Sequence, residues 1–245
     1  MLWEYKPKVQ EKFKNYHYSS LNDKEFTFSQ VYYPVERKAS LITEKESNVI
    51  ELSEKPNEKL SFIDVLFQRK SYGYSLENNV AVTKELISKF CHVAFFGTEI
   101  GRRSYPSGGS QYNVNPYFIF NESQVANDLC LCGNVCALDF EKNNLLCYQK
   151  KNWKSEVAKC FIQENLFKDT KFAIVLGVNL DDISEKYTDI SYKLVQLEAG
   201  HIGQNIQLAA SLYGLKTVPL QGYYDVELGN LIGKKQTILY AFLVG

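Results

Sequence analysis

The segment SYKLVQLEAGHIGQNIQLAASLYG, residues 191–214, constrains the fold of this chain more than any other stretch. Leu194, Leu197, Ile202, Ile206, Ala209 and Leu212 recur along one side at helical spacing, and Gly214 supplies the stop. A helix of this length is stable only when its apolar side is covered. The remaining patterns indicate what accompanies it. SFIDVLFQRKS (61–71) opens with Ser61 and Asp64 in capping-box spacing, with Phe62 and Leu66 on one face. TKELISKFCHVAFFG (83–97) sets Leu86, Ile87, Phe90, Val93 and Ala94 between a Thr83 cap and a Gly97 stop, and SEVAKCFIQENLF (155–167) reads as a third helix. FAIVLGV (172–178) reads as a buried strand, PYFIF (116–120) and QTILYAFLVG (236–245) as further strands, and VCALDF with LLCYQ as a hairpin-like pair. Helices and strands mix without strict alternation, so the expected class is α+β rather than a doubly wound sheet.

Residues 1–55 are expected to form an irregular arm or lead-in region, ending in the polar stretch EKESNVIELSEKPNEK (44–59), with a main domain over 56–245. Lysine plus arginine equals aspartate plus glutamate at 28 each. That balance points to neither nucleic acid nor an acidic membrane surface. No apolar run approaches the roughly 20 residues of a membrane span, and the N-terminus carries no signal-peptide pattern. A cytoplasmic chain with six reduced thiols is the expectation. CLCGNVC (130–136) has a C-x-C spacing without a second ligand pair, and the three histidines are scattered, so no metal site is expected. Cys136 and Cys147 read as small strand residues.

RRSYPSGGSQYN (102–113) is polar and glycine-rich between apolar segments. Its composition is that of an ordinary turn. Its glycines also permit close approach of backbone to a flat ligand, where N–H groups stabilise developing negative charge.

Three separated stretches resemble one family, the FMN-dependent nitroreductase fold, and within it the SagB-type dehydrogenases that oxidise azolines on ribosomally made peptides. They are FQRKSYGYS (67–75), RRSYPSGGSQYNVNPYFIF (102–120) and EKYTDISYKLVQLEAGHIGQNIQLAASLYGLKTVPLQGYYD (185–225). LEAGHIGQNIQLAA is the most specific match, and with the closing LYAFLVG the likeness covers about residues 60–245, with a thinner echo at YHYSSL (16–21). The resemblance implies a nitroreductase-like sheet flanked by helices, with a long interface-forming helix. It also implies FMN as cofactor, with Arg69 and Ser71 gripping the ribityl phosphate. Pro106, Ser107, Gly108 and Gly109 would lie along the ring, with Pro219, Gln221 and Gly222 on its opposite side. Lys186-Tyr187 matches the family's Lys-Tyr pair, either member of which would act as the general base.

Gly73 departs from the pattern where relatives often carry a second basic residue; Lys70, or Lys234 and Lys235 near the C-terminus, would compensate, or are solvated. His201 reads as packed or hydrogen-bonded in its helix. Gln204 and Asn205 either border the flavin or bond across a helix interface, and Gly200 with Gly203 permits close approach of another helix.

The resemblance further implies a homodimer with two shared FMN sites, a precursor peptide as substrate, a cyclodehydratase as partner, and reoxidation of the flavin by oxygen. Residues 1–55 would serve docking. Two alternatives stand beside this reading: a nicotinamide-driven nitroreductase, and a non-catalytic scaffold subunit of a peptide-modification complex.

Overall fold

A computed structural model describes residues 12–19, 47–97, 102–233 and 236–245. Seven strands among them pair antiparallel in one sheet: β1 (Asn48–Glu51), β2 (Asn115–Phe120), β3 (Val135–Asp139), β4 (Asn144–Gln149), β5 (Phe172–Val178), β6 (Thr217–Leu220) and β7 (Thr237–Val244). Their spatial order is β1-β4-β3-β2-β5-β7-β6. Six α-helices among the described residues accompany the sheet: α1 (Lys12–Ser19), α2 (Phe62–Gln68), α3 (Lys84–Ala94), α4 (Leu180–Tyr187), α5 (Ser191–Leu212) and α6 (Asp225–Leu231). This is the α+β arrangement anticipated from the sequence, an antiparallel sheet flanked by helices.

β5 is buried at every position because both faces of the sheet are covered. The period of two along a strand sends Phe172, Ile174, Leu176 and Val178 into one core and Ala173 and Val175 into the other. The first core lies under α3 and α5. Phe90 meets Phe172 edge-on at 5.8 Å, and Phe118 stacks on Phe172 at 6.1 Å. The second core lies under α6 and the turns of residues 153–168, through Trp153, Phe161, Phe167 and Leu228.

α5 comes close to the sheet because Gly203 has no side chain: a Cβ there would stand 2.8 Å from Phe242 Cζ on β7. The glycine therefore serves helix-on-sheet packing rather than helix-on-helix packing, while Gly200 faces open space. Leu197, expected on the covered side, is 62% exposed, and His201 is exposed rather than packed. Both lie on the side of the helix turned away from β7.

Local signals set the helix ends. Ser61 Oγ accepts from Asp64 N, Thr83 Oγ1 accepts from Leu86 N, and Gly214 ends α5 at φ +67°. α2 nonetheless buries only Val65; Phe62 and Phe67 are 69% and 78% exposed. The helix expected over 155–167 is broken instead into short turns, because Phe161 bridges to Tyr223 and Ile162 N donates to Gly222 O at 2.9 Å. Those tertiary bonds take the backbone groups that a continuous helix needs.

Register corrects the expectation of six separate thiols. Cys136 and Cys147 sit opposite each other on β3 and β4 and are joined as a disulfide, while Cys91, Cys130, Cys132 and Cys160 are free. Burial pushes the Cys130 thiol up to about 12. β1 lies within the region read as a lead-in and adds an edge strand beside β4. Most of residues 1–55, together with Lys234 and Lys235, lie outside the described residues. No helix among the described residues is long and apolar enough to cross a membrane.

Gly203→Val is expected to destabilise the fold by about 2 kcal/mol through overpacking against Phe242, read as a lower midpoint in denaturant unfolding at unchanged slope. An unchanged midpoint would show that α5 does not rest on β7 as described.

Candidate functional site

The polar loop begins where Phe96 bridges to Arg103 and Ser104 N donates to Phe95 O at 3.1 Å. The buried Arg103 guanidinium packs 3.5 Å from the Phe140 ring centroid and 5.4 Å from that of Tyr112. Beyond it the backbone turns sharply. Gly109, Ser110 and Tyr112 adopt φ of +59°, +56° and +51°, so two non-glycine residues within four positions occupy the left-handed region. Such conformations persist only where surrounding contacts over-determine them, and they cluster at ligand sites.

The determining contact comes from Glu198 on α5, a carboxylate only 2% exposed. Its Oε2 accepts from Ser107 Oγ at 2.6 Å and its Oε1 from Val114 N at 3.1 Å. Ser107 Oγ in turn accepts from Tyr112 N at 2.9 Å. One buried carboxylate thus fixes both ends of the segment 107–114, and hydrogen bonds compensate the cost of burying its charge. The hydroxyl proton of Ser107 is committed to Glu198, so this side chain offers a ligand only acceptor capacity.

Lys186 and Tyr187 reach the same place from α4. A Cβ built on Gly109 would overlap the Tyr187 hydroxyl, so only glycine lets the loop pass so close. Lys186 Nζ lies 5.3 Å from the centroid of the Tyr187 ring. Thr188 follows at φ +49° and ψ −133°, an outlying conformation for a β-branched residue, and turns the chain into α5. The structure therefore brings Lys186, Tyr187 and Ser107–Gly109 together, with Pro106 exposed at the loop's entry.

Arg69 and Ser71 gather elsewhere. Arg69 Nη1 and Ser71 Oγ both donate to Gln207 Oε1, at 3.0 and 3.3 Å. Ser71 bridges in parallel to Thr217, and Tyr72 N donates to Thr217 O at 3.0 Å, so this strap continues onto the start of β6. Pro219 lies within β6, and Gln221 and Gly222 follow its end. Gln221 Nε2 donates to Leu239 O at 2.8 Å and its Oε1 accepts from Tyr223 Oη at 3.1 Å. Gly222 leaves no room for a side chain, since a Cβ would stand 2.5 Å from Gln163 Nε2. From Thr217 to Gly222 the extended chain spans about 16 Å. Beside the strap is a cavity of about 390 Å³ lined by Lys70, Tyr72, Gln207 and Lys216 among others.

Glu198 and Gln207, the anchors of the two groups, are nine residues apart on α5. That separation is about 13 Å along the axis and two and a half turns around it, so they point to opposite sides of the helix. Both were absent from the residues singled out by the sequence, although both lie inside LEAGHIGQNIQLAA. The available signal was a carboxylate at helical spacing with buried Val195 and Ile202. Asn205, left between two roles, ties α5 to the end of α3 and the loop through Ala94 O and Ser104 O.

Glu198→Ala leaves Ser107 and the Val114 N–H without their acceptor and is expected to cost about 2–4 kcal/mol. Glu198→Gln retains an acceptor for Val114 and is expected to lose less. Chemical denaturation measures the difference, with limited proteolysis within residues 105–113 as the local readout. Equal stability and equal cleavage for Glu198→Ala and the unaltered chain would remove the clamp.

Residues 66–245 match the model of the Nitroreductase family. A relative described as a nitroreductase, MJ1384 of Methanocaldococcus jannaschii, is 23% identical over 189 residues, which is 77% of this chain and 92% of that protein. A nitroreductase structure from Anabaena variabilis superposes with a TM-score of 0.73 at 16% identity over 95% of this chain, which spans 46% of that protein's length. A chain of the Escherichia coli microcin synthetase McbBCD complex, solved with truncated pro-MccB17 bound, gives 0.66 at 21% identity, covering 95% of this chain and 91% of that one. A nitroreductase from Exiguobacterium sibiricum in complex with FMN gives 0.52 at 11% identity, over 76% and 88% of the two chains. The strap, loop and long helix all fall within the matched residues, and the chain belongs to the nitroreductase family.

Proposed function

We propose that this chain is an FMN-dependent dehydrogenase that oxidises thiazoline or oxazoline rings of a ribosomally made peptide to thiazoles or oxazoles. The observation that carries the reading is the contact of Tyr187 with Gly109, with Lys186 beside it. It puts two candidate proton acceptors at the edge of a strained, glycine-lined loop. The likeness to a chain of a synthetase solved with its propeptide supports a peptide substrate.

The residues present fit FMN. Arg69 and Ser71 converge on a single acceptor oxygen, the arrangement that a phosphate oxygen requires. They would hold the phosphate. The Pro106–Gly109 and Pro219–Gly222 backbones would hold the ring. When bound, FMN supplies the hydride acceptor, and oxygen restores its oxidised form.

The protein's own task is proton removal. Aromatising an azoline takes a proton from the α-carbon as hydride leaves the adjacent ring carbon, and Lys186 or Tyr187 receives that proton. The loop, through Gly109, would hold this pair beside the bound flavin.

Glu198 and Gln207 face opposite sides of α5, which supports a reading in which one FMN meets the loop of one copy and the strap of another. That reading is the basis for proposing a homodimer with two FMN sites. A precursor peptide and a cyclodehydratase complete the proposed assembly, with residues 1–55 as the docking arm and 56–245 as the flavin domain.

Purified protein is expected to be yellow, and an azoline-bearing peptide is expected to bleach it under anaerobic conditions faster than a nicotinamide donor does. Bleaching only by nicotinamide would replace the proposal with a general nitroreductase activity. A colourless preparation that FMN does not reconstitute would favour the scaffold role. Lys186→Ala and Tyr187→Phe are each expected to slow azoline oxidation by about 10²-fold or more at unchanged flavin content. Full activity in both variants would overturn the assignment of the base.

A further inference from the structure

We propose that the cavity beside the strap is the phosphate-monoester pocket of the site and that Lys216 is its second cation. The inference rests on the FMN reading above and names a residue that neither the sequence motif nor the family match assigns.

A phosphate monoester carries between one and two negative charges at neutral pH, so a single guanidinium leaves it incompletely neutralised. Gly73 offers no cation, and nothing lies within 4 Å of where its Cβ would be. The charge is available from the other side of the cavity. Its described lining contains Lys70 and Lys216 and no carboxylate, with Arg69 held against its wall through Gln207. Gln207 Oε1 accepts from both Arg69 and Ser71, giving these two donors the acceptor that a bound phosphate oxygen provides.

Of the two lysines, Lys216 has the fixed position. Its N donates to Gly245 O and its O accepts from Gly245 N, each at 2.9 Å, so the root of the side chain is clamped to the end of the chain. The next residue, Thr217, is the one that Ser71 and Tyr72 engage. Lys216 Nζ stands 5.6 Å from the Tyr72 ring centroid, and the residue is half-buried. Lys70 is exposed and its backbone has no comparable anchor. Gly214, at φ +67°, makes this placement possible by turning the chain off α5 directly into Lys216.

The test compares FMN with riboflavin, which differ only in the phosphate, by fluorescence titration of flavin-stripped full-length protein. The unaltered protein is expected to prefer FMN. Lys216→Gln is expected to lose about tenfold or more in FMN affinity while riboflavin affinity stays unchanged. Lys216→Arg is expected to restore the preference, which separates loss of charge from loss of structure. Inorganic phosphate is expected to weaken FMN binding to the unaltered protein and to have less effect on Lys216→Gln. If Lys216→Gln keeps the full preference, or if the unaltered protein binds the two flavins equally, the assignment of Lys216 and its pocket is overturned while the flavin reading stands. Failure of the unaltered protein to bind either flavin overturns both.

Discussion

The contact of α5 with β7 organises the molecule. Gly203 removes the one side chain that would hold the helix away from Phe242, and the helix settles onto the sheet along its central part. Because the sheet beneath is buried on both faces, α5 has a rigid floor. Every polar anchor on the helix is then fixed relative to the strands. Glu198 meets the loop on one side, Gln207 meets the strap on another, and Asn205 fastens the end of α3 between them.

The loop of residues 102–114 shows how strain and electrostatics are balanced there. Left-handed backbone at Ser110 and Tyr112 is unfavourable by itself, and the bonds around Glu198 hold it. Burying the carboxylate would be costly without donors, and the loop supplies them. Each element therefore needs the other: the loop's shape depends on a charge in the core, and that charge is tolerated because of the loop. Arg103, packed flat on Phe140, closes the arrangement from below.

The two ends of α5 also carry different chemistry. The end near Tyr187 has a phenol and an ammonium group beside a glycine backbone. The end near Gln207 has Arg69, Lys216, a serine hydroxyl and no nearby carboxylate among the described lining, which suits an anion.

Much of this was legible in the residues. Periodicity and end signals locate α2, α3 and α5, and FAIVLGV and PYFIF read as strands because runs of β-branched and aromatic residues suit a sheet covered on both sides. The PSGG glycines and the Lys-Tyr pair stand out only through their likeness to a family pattern. What the residues could not reveal were relations that depend on register and crossing. Residues 155–167 have a helical pattern, but bonds to Gly222 and Tyr223 compete for their backbone. Cys136 and Cys147 are bonded because β3 and β4 pair in one register and not the next. Leu197 and His201 face outward because Gly203 sets which side of α5 meets the sheet. Helical spacing specifies an apolar stripe but not what lies against it. The sequence determined many of the elements; tertiary structure alone decided that a glutamate would hold the loop, that a glutamine would gather the strap, and that a lysine just past α5 would stand beside Tyr72.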